Sequence, residues 1–499
     1  MKEIRYGPTL VVLFLFSLAG CAPFSYQHIP ESFQRPEECQ RLFEQLDASV
    51  TEQGVRDAAS YSIPDFPYLR TNRFLSALGK KITKDQDKEE WLQRMQGLDI
   101  KAREKEISNL SDEWVFTLAG SGKGEEGLRD KLNASVKACS DKLLRHDRSH
   151  PDFYPALDSR THVPDEYSFF MRAIGLYPVA SIPVAVVTGI SREKIISWHE
   201  ADLNDLPVDG RLRAFVPGEN LFFTEKEIEG MINESRRNAL KIPEPGGELE
   251  KRLVASFAPI FIQDVAAPYD EIGRVVWKDD SLEIDSLRPT VYYYISHALL
   301  KGEAVLQINY VIWFSARAGK RPPRIERGHL DGLTLRISLD GRGRPFMADV
   351  MNNCGCYHLF APDQRRVEAF ISRPFRFGPF VPQWLPGVPP DERLGVRLNS
   401  GWHQAQRLSA VREAPDSSHY ELIPYDILEA LPHRDGRTES IFDANGIVKG
   451  TERAERFILF SMGIPRIGSM RQRGHHAIEL IGRVHFDDPC LFDRSFVFK

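Results

Sequence analysis

Cys354, Cys356 and His358 fall at positions i, i+2 and i+4 of one short stretch, Asn352-Asn353-Cys354-Gly355-Cys356-Tyr357-His358. Two thiols and an imidazole at such spacing are ligands for a soft or borderline metal, zinc above all, or a place for thiol redox chemistry. Alternate side chains of an extended strand stand roughly 7 Å apart, too far for two thiolates on one zinc ion, so the backbone must curl. Gly355 and the turn-favouring Asn352 and Asn353 permit that. Upstream, His329 and Asp331 lie in Gly328-His329-Leu330-Asp331-Gly332, where a β-hairpin begins whose second strand ends at the thiols. Both ends of the hairpin meet at its open side. Cys354, Cys356, His358, His329 and Asp331 are therefore the candidate metal set, with zinc as the expected cofactor. The competing expectation is a disulfide, within the pair or from one thiol to Cys490, with His358 an ordinary polar neighbour. Cys-x-x-Cys-His is absent, which excludes a c-type haem site.

His329-x-Asp331 has a second use. With the distant His403 it resembles the facial triad of non-haem iron oxygenases, and Arg407, four residues further on, stands where an arginine could hold a substrate carboxylate. The tail carries a denser group, Arg471, His475, His476 and His485. Its histidines suit acid–base work near neutral pH and its arginine suits an anion, while a solvated surface of Arg–Asp pairs accounts for the same residues. Gly-x-Ser-x-Gly and His-Glu-x-x-His are both absent, leaving serine-hydrolase and zincin chemistry without support. Gly120-Ser121-Gly122-Lys123-Gly124 lacks the spacing and ending of a phosphate loop.

These residues need a frame. Apolar residues at 39, 42, 43 and 46, at 92, 95 and 98, and at 128, 132, 136 and 143 repeat at helix spacing, so residues 36–165 read as a helical domain. Residues 166–250 read as a connector interrupted by prolines, with one helix after Thr224, whose Glu227 completes a capping box. Within it, residues 173–190 are long and uncharged. Pro178 and Pro183 argue for a buried connecting segment or hairpin there, with an interfacial segment facing lipid or a partner as the alternative. From residue 251 onward the texture becomes aromatic and β-branched: Tyr292 to His297, Val305 to Phe314, Leu333 to Leu339 and Arg344 to Val350 are consecutive strands with short turns, and 403–411 is another. The fold class is thus α+β, a helical domain followed by a domain (251–499) built on an antiparallel sheet that carries the Cys/His cluster.

The chain of 499 residues, with a net charge of −5, lacks the basic excess of a nucleic-acid protein. Its first residues supply the most specific motif. Lys2 and Arg5 precede a short apolar run, Leu10 to Leu18, and then Leu18-Ala19-Gly20-Cys21. The run is too short to span a bilayer. The tetrad resembles the lipobox of bacterial lipoproteins. That resemblance implies a signal peptide over 1–20, lipidation of Cys21 and a tether over 21–35. With Ala22 in place of Asp, it also implies an anchored position at the outer membrane, facing the periplasm. In that oxidising compartment Cys39 and Cys139, both in the helical domain, are the expected disulfide. The expected role is an envelope binding or assembly factor whose partners are the membrane, through the lipid anchor, and an envelope protein. The alternative is a metal-dependent envelope enzyme, a zinc hydrolase or an iron oxygenase.

Overall fold

The structure, a computed structural model, describes residues 35–120, 126–219, 221–372, 377–412, 414 and 416–499. The signal segment, Cys21 and the tether up to residue 34 lie outside the described residues.

The N-terminal part is helical, as its apolar spacing requires. Helix α1 (Glu37–Gln53) buries Cys39, Phe43, Leu46 and Val50 on one face. It packs with α2 (Asp85–Asn109) and α3 (Glu126–Arg148) around a short hairpin, Tyr61–Ile63 with Phe66–Thr71. Cys39 and Cys139 are bonded, their Cα atoms 5.1 Å apart, and so tie α1 to α3. Between hairpin and α2 lies a buried ion network: Arg70 reaches Asp99 at 3.1 Å and Glu106 at 2.7 Å, and Arg103 reaches Glu106 at 3.2 Å.

Residues 166–200 differ from a buried connection. They form a short helix α4 (Phe169–Ile174) and a long helix α5 (Tyr177–Glu200). Pro178 lies in the first turn of α5, where no intrahelical N–H is lost, and Pro183 is accommodated inside the helix. Further on, Thr224 caps the helix Glu225–Ser235 through a capping box with Glu227.

The C-terminal part is built on one ten-stranded sheet. Its strands in chain order are β1 (Arg211–Pro217), β2 (Ile260–Val265), β3 (Thr290–Leu300), β4 (Glu303–Arg317), β5 (Gly328–Leu339), β6 (Pro345–Asn352), β7 (Leu359–Pro362), β8 (Arg393–Leu398), β9 (Ala405–Val411) and β10 (Ser417–Pro424). Their order across the sheet is β7-β6-β5-β4-β3-β10-β1-β2-β8-β9. The run β3 to β7 is an antiparallel meander, with a two-residue turn between β3 and β4 and longer links, 318–327 and 353–358, on either side of the β5–β6 hairpin. The sheet as a whole is mixed, because β10 lies parallel to both β3 and β1, and β2 lies parallel to β8. Strand β1 comes from the stretch read as connector, so the sheet begins earlier in the chain than the strand-rich texture does. The main core, with Tyr310, Phe314, Leu335 and Val396, fills one face of the sheet. The last residues, Phe496–Phe498, pair with Val367–Phe370 and close the C-terminus onto the sheet.

Candidate functional site

The curl that two neighbouring thiols require is present. Gly355 has φ 91° and Tyr357 has φ 56°, both left-handed. The turn is closed by Gly355 N donating to Asn352 O at 2.7 Å and Asn352 N to Cys356 O at 3.1 Å. Asn353 holds the turn to the sheet: its side-chain amide donates to Ile312 O at 3.3 Å and its carbonyl accepts from Thr334 Oγ1 at 2.8 Å. This approach needs Gly332, since a Cβ there would stand 2.2 Å from the Asn353 amide. Gly355 in turn is roofed by the tail, whose Ala477 carbonyl would meet a Cβ at 2.5 Å.

The turn brings the two sulfurs into hydrogen-bond contact, unbonded to each other, with Cys354 4% exposed and Cys356 half-buried. The Cys356 thiol donating to it, with Arg317 and Arg453 behind, brings Cys354 down to about 6 against the opposing effect of burial. Cys356, donating to Cys354 and buried, is pushed well above the usual thiol value. Glu455 stands near the pair. Burial first, then the negative neighbours Cys354 and Glu326, push it up to about 8.

Behind the thiols lies a buried charge chain. Arg317, at the end of β4, grips Asp331 with two bonds of 2.9 Å and Glu326 at 3.0 Å. Asp331 Oδ2 accepts from His403 Nδ1 at 2.8 Å, and His403 Nε2 reaches Asp270 Oδ1 at 3.2 Å. Phe314 stacks on the imidazole at 3.8 Å. Burial works against a charged His403, but its hydrogen bonds to Asp270 and Asp331 outweigh it and raise the imidazole above its usual value. Asp331, buried, is nevertheless held well below the usual carboxylate range by Arg317 and His403. Glu326 also accepts from Trp402 Nε1 at 2.9 Å and from Tyr357 OH at 2.7 Å, so the chain ends on the residue that follows the thiols.

The five residues expected to share a metal do not converge on one ion as arranged here. His358 is locked by Asp349 at 2.9 Å, itself held bidentately by Arg336. His329 is exposed and bonded to Leu282 O at 2.9 Å. Leu330, with φ 51°, breaks the strand alternation that would have aimed His329 and Asp331 the same way. Asp331 is saturated by Arg317 and His403. Among the described residues no group of three or more His, Cys, Asp or Glu side chains is placed to hold a metal ion. Of the iron-type triad, Asp331 and His403 meet and His329 does not join them. Arg407 is used on the carbonyls of Trp198 and Ala201, where it caps α5.

The tail group clusters around Glu166 rather than around a ligand. His475 Nδ1 bonds Glu166 at 3.0 Å and its Nε2 bonds Ala58 O at 2.6 Å. Arg471 lies 3.9 Å from Glu166 and also donates to Pro465 O. His485 accepts from Glu166 N at 3.3 Å. Burial, then Arg73, lower it to about 4. His476 bonds Asn353 O at 3.2 Å, and burial, then Arg471, lower it to about 3. Together these residues clamp the tail between the helical part and the thiol turn.

Beside the thiols a cavity of about 730 Å³ opens, lined by Cys354, Cys356, Trp402 and Glu455 and by Val184, Ile195, Phe380, Ile464 and Leu480. Helix α5 forms one of the cavity walls. Its outer face is apolar too: Pro178, Val179, Ile182, Pro183, Val186, Val187 and Ile190 are all exposed and repeat at helix spacing. Phe169 (76% exposed) and Phe170 (70%) on α4, and Phe457, Ile458 and Phe460 on the neighbouring turn, extend the patch. From Glu193 the exposed positions turn polar, with Lys194, Ser197 and Glu200. Sequence reasoning passed over Arg317, Glu326, Trp402, Arg453 and Glu455; an arginine ending the apolar run of β4 was the one visible trace.

No family model, no curated protein and no solved structure matches the chain.

Proposed function

We propose that the protein is an envelope lipoprotein, anchored through Cys21 and facing the periplasm from the outer membrane, that lays its α4–α5 face on the bilayer and takes a lipid acyl chain into the adjoining cavity. The observation that carries this reading is the single helix α5, apolar on two sides, outward over its first half and inward along the cavity.

The exposed stripe from Pro178 to Ile190 is about 20 Å long at 1.5 Å per residue, short of the ~30 Å hydrocarbon core. No helix among the described residues is long and apolar enough to cross a membrane. A stripe of this kind suits a helix lying in the interface plane. Basic side chains flank it, Arg172 over the half-buried Tyr177 at the start and the exposed Lys194 at the end. A monomeric soluble surface rarely exposes so large an apolar patch. The cavity volume falls within the ~300–1,000 Å³ of ordinary ligand pockets, and its apolar walls match a hydrocarbon chain.

Two measurements test the reading. The chain from residue 21 onward carrying Cys21→Ser, which lacks both the apolar signal segment and the lipidated thiol, is expected to float with vesicles of phosphatidylethanolamine and phosphatidylglycerol. A fluorescent polyene fatty acid is expected to bind at one site and to be displaced by phospholipid. A chain that stays at the bottom of the gradient and leaves the fatty acid unbound overturns the proposal. Dimerisation through this face in place of vesicle binding overturns its membrane part.

A further inference from the structure

We infer that Cys354 and Cys356 form a redox-active dithiol that reacts, through the cavity, with apolar disulfides. The inference uses the cavity as its route of access and does not depend on what the α4–α5 face binds.

Three structural features carry it. Gly355, held left-handed under the Ala477 carbonyl, places the two sulfurs in contact. The pair stands among charges: Arg317 and Arg453 favour a thiolate on Cys354, and Glu455 and Glu326 lie near the two sulfurs. Both cysteines and Glu455 line the cavity, so the pair borders the space a ligand would fill. A buried structural cysteine needs none of these features.

The step balances as follows. The Cys354 thiolate attacks one sulfur of R–S–S–R′. A Cys354–S–S–R bond forms, the R–S–S–R′ bond breaks, and R′S⁻ leaves, taking the proton of the neutral Glu455 carboxyl. The Glu455 carboxylate then removes the Cys356 proton. Cys356 attacks the Cys354 sulfur, the Cys354–S–S–Cys356 bond forms, and RS⁻ departs with the proton returned from Glu455. Two thiols are oxidised to one disulfide, one disulfide is reduced to two thiols, and the negative charge moves from Cys354 to Glu455.

The test uses the purified chain with Cys21→Ser and Cys490→Ser, so that the pair is its only thiol source beside the Cys39–Cys139 disulfide, and 2,2′-dithiodipyridine as an apolar disulfide. The pair is expected to release two equivalents of thione and to end as an internal disulfide in the tryptic peptide that carries both cysteines. Cys356→Ser is expected to release one equivalent and stop as a mixed disulfide on Cys354. Cys354→Ala is expected to react at least about tenfold more slowly. Because a cysteine variant can fail to fold, a fourth chain keeps both thiols. Ala180→Trp fills the cavity wall on α5 and is expected to slow the reaction with dithiodipyridine while leaving the urea-unfolded chain's rate unchanged. Glutathione disulfide, polar and charged, is expected to react more slowly than the apolar reagent once each rate is divided by that of the unfolded chain. An absent internal disulfide, trapping on Cys356 in the Cys354→Ala chain at the wild-type rate, or an Ala180→Trp rate equal to wild type overturns the inference. Vesicle flotation is unaffected by any of these outcomes, so a failed membrane reading and a failed thiol reading are told apart.

Discussion

Replacing Val179 and Val186 together by glutamate tests the outer face of α5 without touching the core, because these side chains are 67% and 60% exposed. Complete burial of a valine contributes about 1.5–3 kcal/mol. With roughly two-thirds of each side chain available to lipid, each replacement removes about 1–2 kcal/mol of membrane affinity, and the pair about 2–4 kcal/mol. At 1.4 kcal/mol per tenfold, the partition coefficient is expected to fall between about 30-fold and several hundredfold. Glutamate adds the unfavourable transfer of a charge and repulsion from anionic headgroups, so this range is a lower bound. The assay is co-sedimentation with vesicles at increasing lipid concentration, in the Cys21→Ser background, with thermal melting as the control. Both positions face outward, so the melting temperature should stay within a degree or two of the parent. A partition coefficient within threefold of the parent, with an unchanged melt, refutes the membrane role of this face.

Four further outcomes follow from the geometry. Reducing Cys39–Cys139, which closes a loop with a sequence separation of 100, should lower stability by about 4–5 kcal/mol in the chain-entropy model, read by urea unfolding with and without reductant. Gly355→Ala forces a Cβ to within 2.5 Å of the Ala477 carbonyl at a left-handed φ, and should lose about 2–5 kcal/mol by the same assay. Arg317→Met removes the cation that Asp331 and Glu326 share, leaving Asp331 to His403 and Arg453, and should lose about 3–5 kcal/mol, seen as a lower denaturation midpoint. His475 is raised above its usual value, since its bond to Glu166 outweighs burial. Its stabilising contribution is therefore complete below the unfolded value of about 6.5 and is lost as pH rises through the folded value, so His475→Asn should flatten that part of the stability–pH curve.

The strands β3 to β6 were legible through their aromatic and β-branched residues and the turns after Leu300 and Leu339; β7 was not read. The helical part was legible through its apolar spacing, and the two cysteines placed in it are the ones the structure bonds. The thiol turn was legible as far as its curl, since Gly355 is the residue on which a sulfur–sulfur approach depends. The parallel pairings were not legible. They join β10 to β1 and β2 to β8 across long separations that no local period encodes. Helix α5 was hidden by its prolines, which mark a break only when they fall where a hydrogen bond is needed. The site's charges were hidden by single backbone torsions. With Leu330 and His403 both left-handed, His329 turns away from Asp331 while His403 turns toward it. Spacing in the sequence assumes a regular strand and so joined the wrong pair.

The Ala477 carbonyl that roofs Gly355 belongs to a segment made long after the thiols, and Arg453 behind Cys354 is likewise made later. A chain made from its N-terminus onward therefore presents Cys354 and Cys356 without their roof, and with only one of their two arginines, until Arg453 and then Ala477 have been added. The pairing of Phe496–Phe498 with Val367–Phe370 then locks that tail in place. Maturation of the thiol turn is in this way timed by the arrival of Ala477, far downstream of the thiols. A chain cut short anywhere before Ala477 would leave both cysteines without the segment that covers their turn.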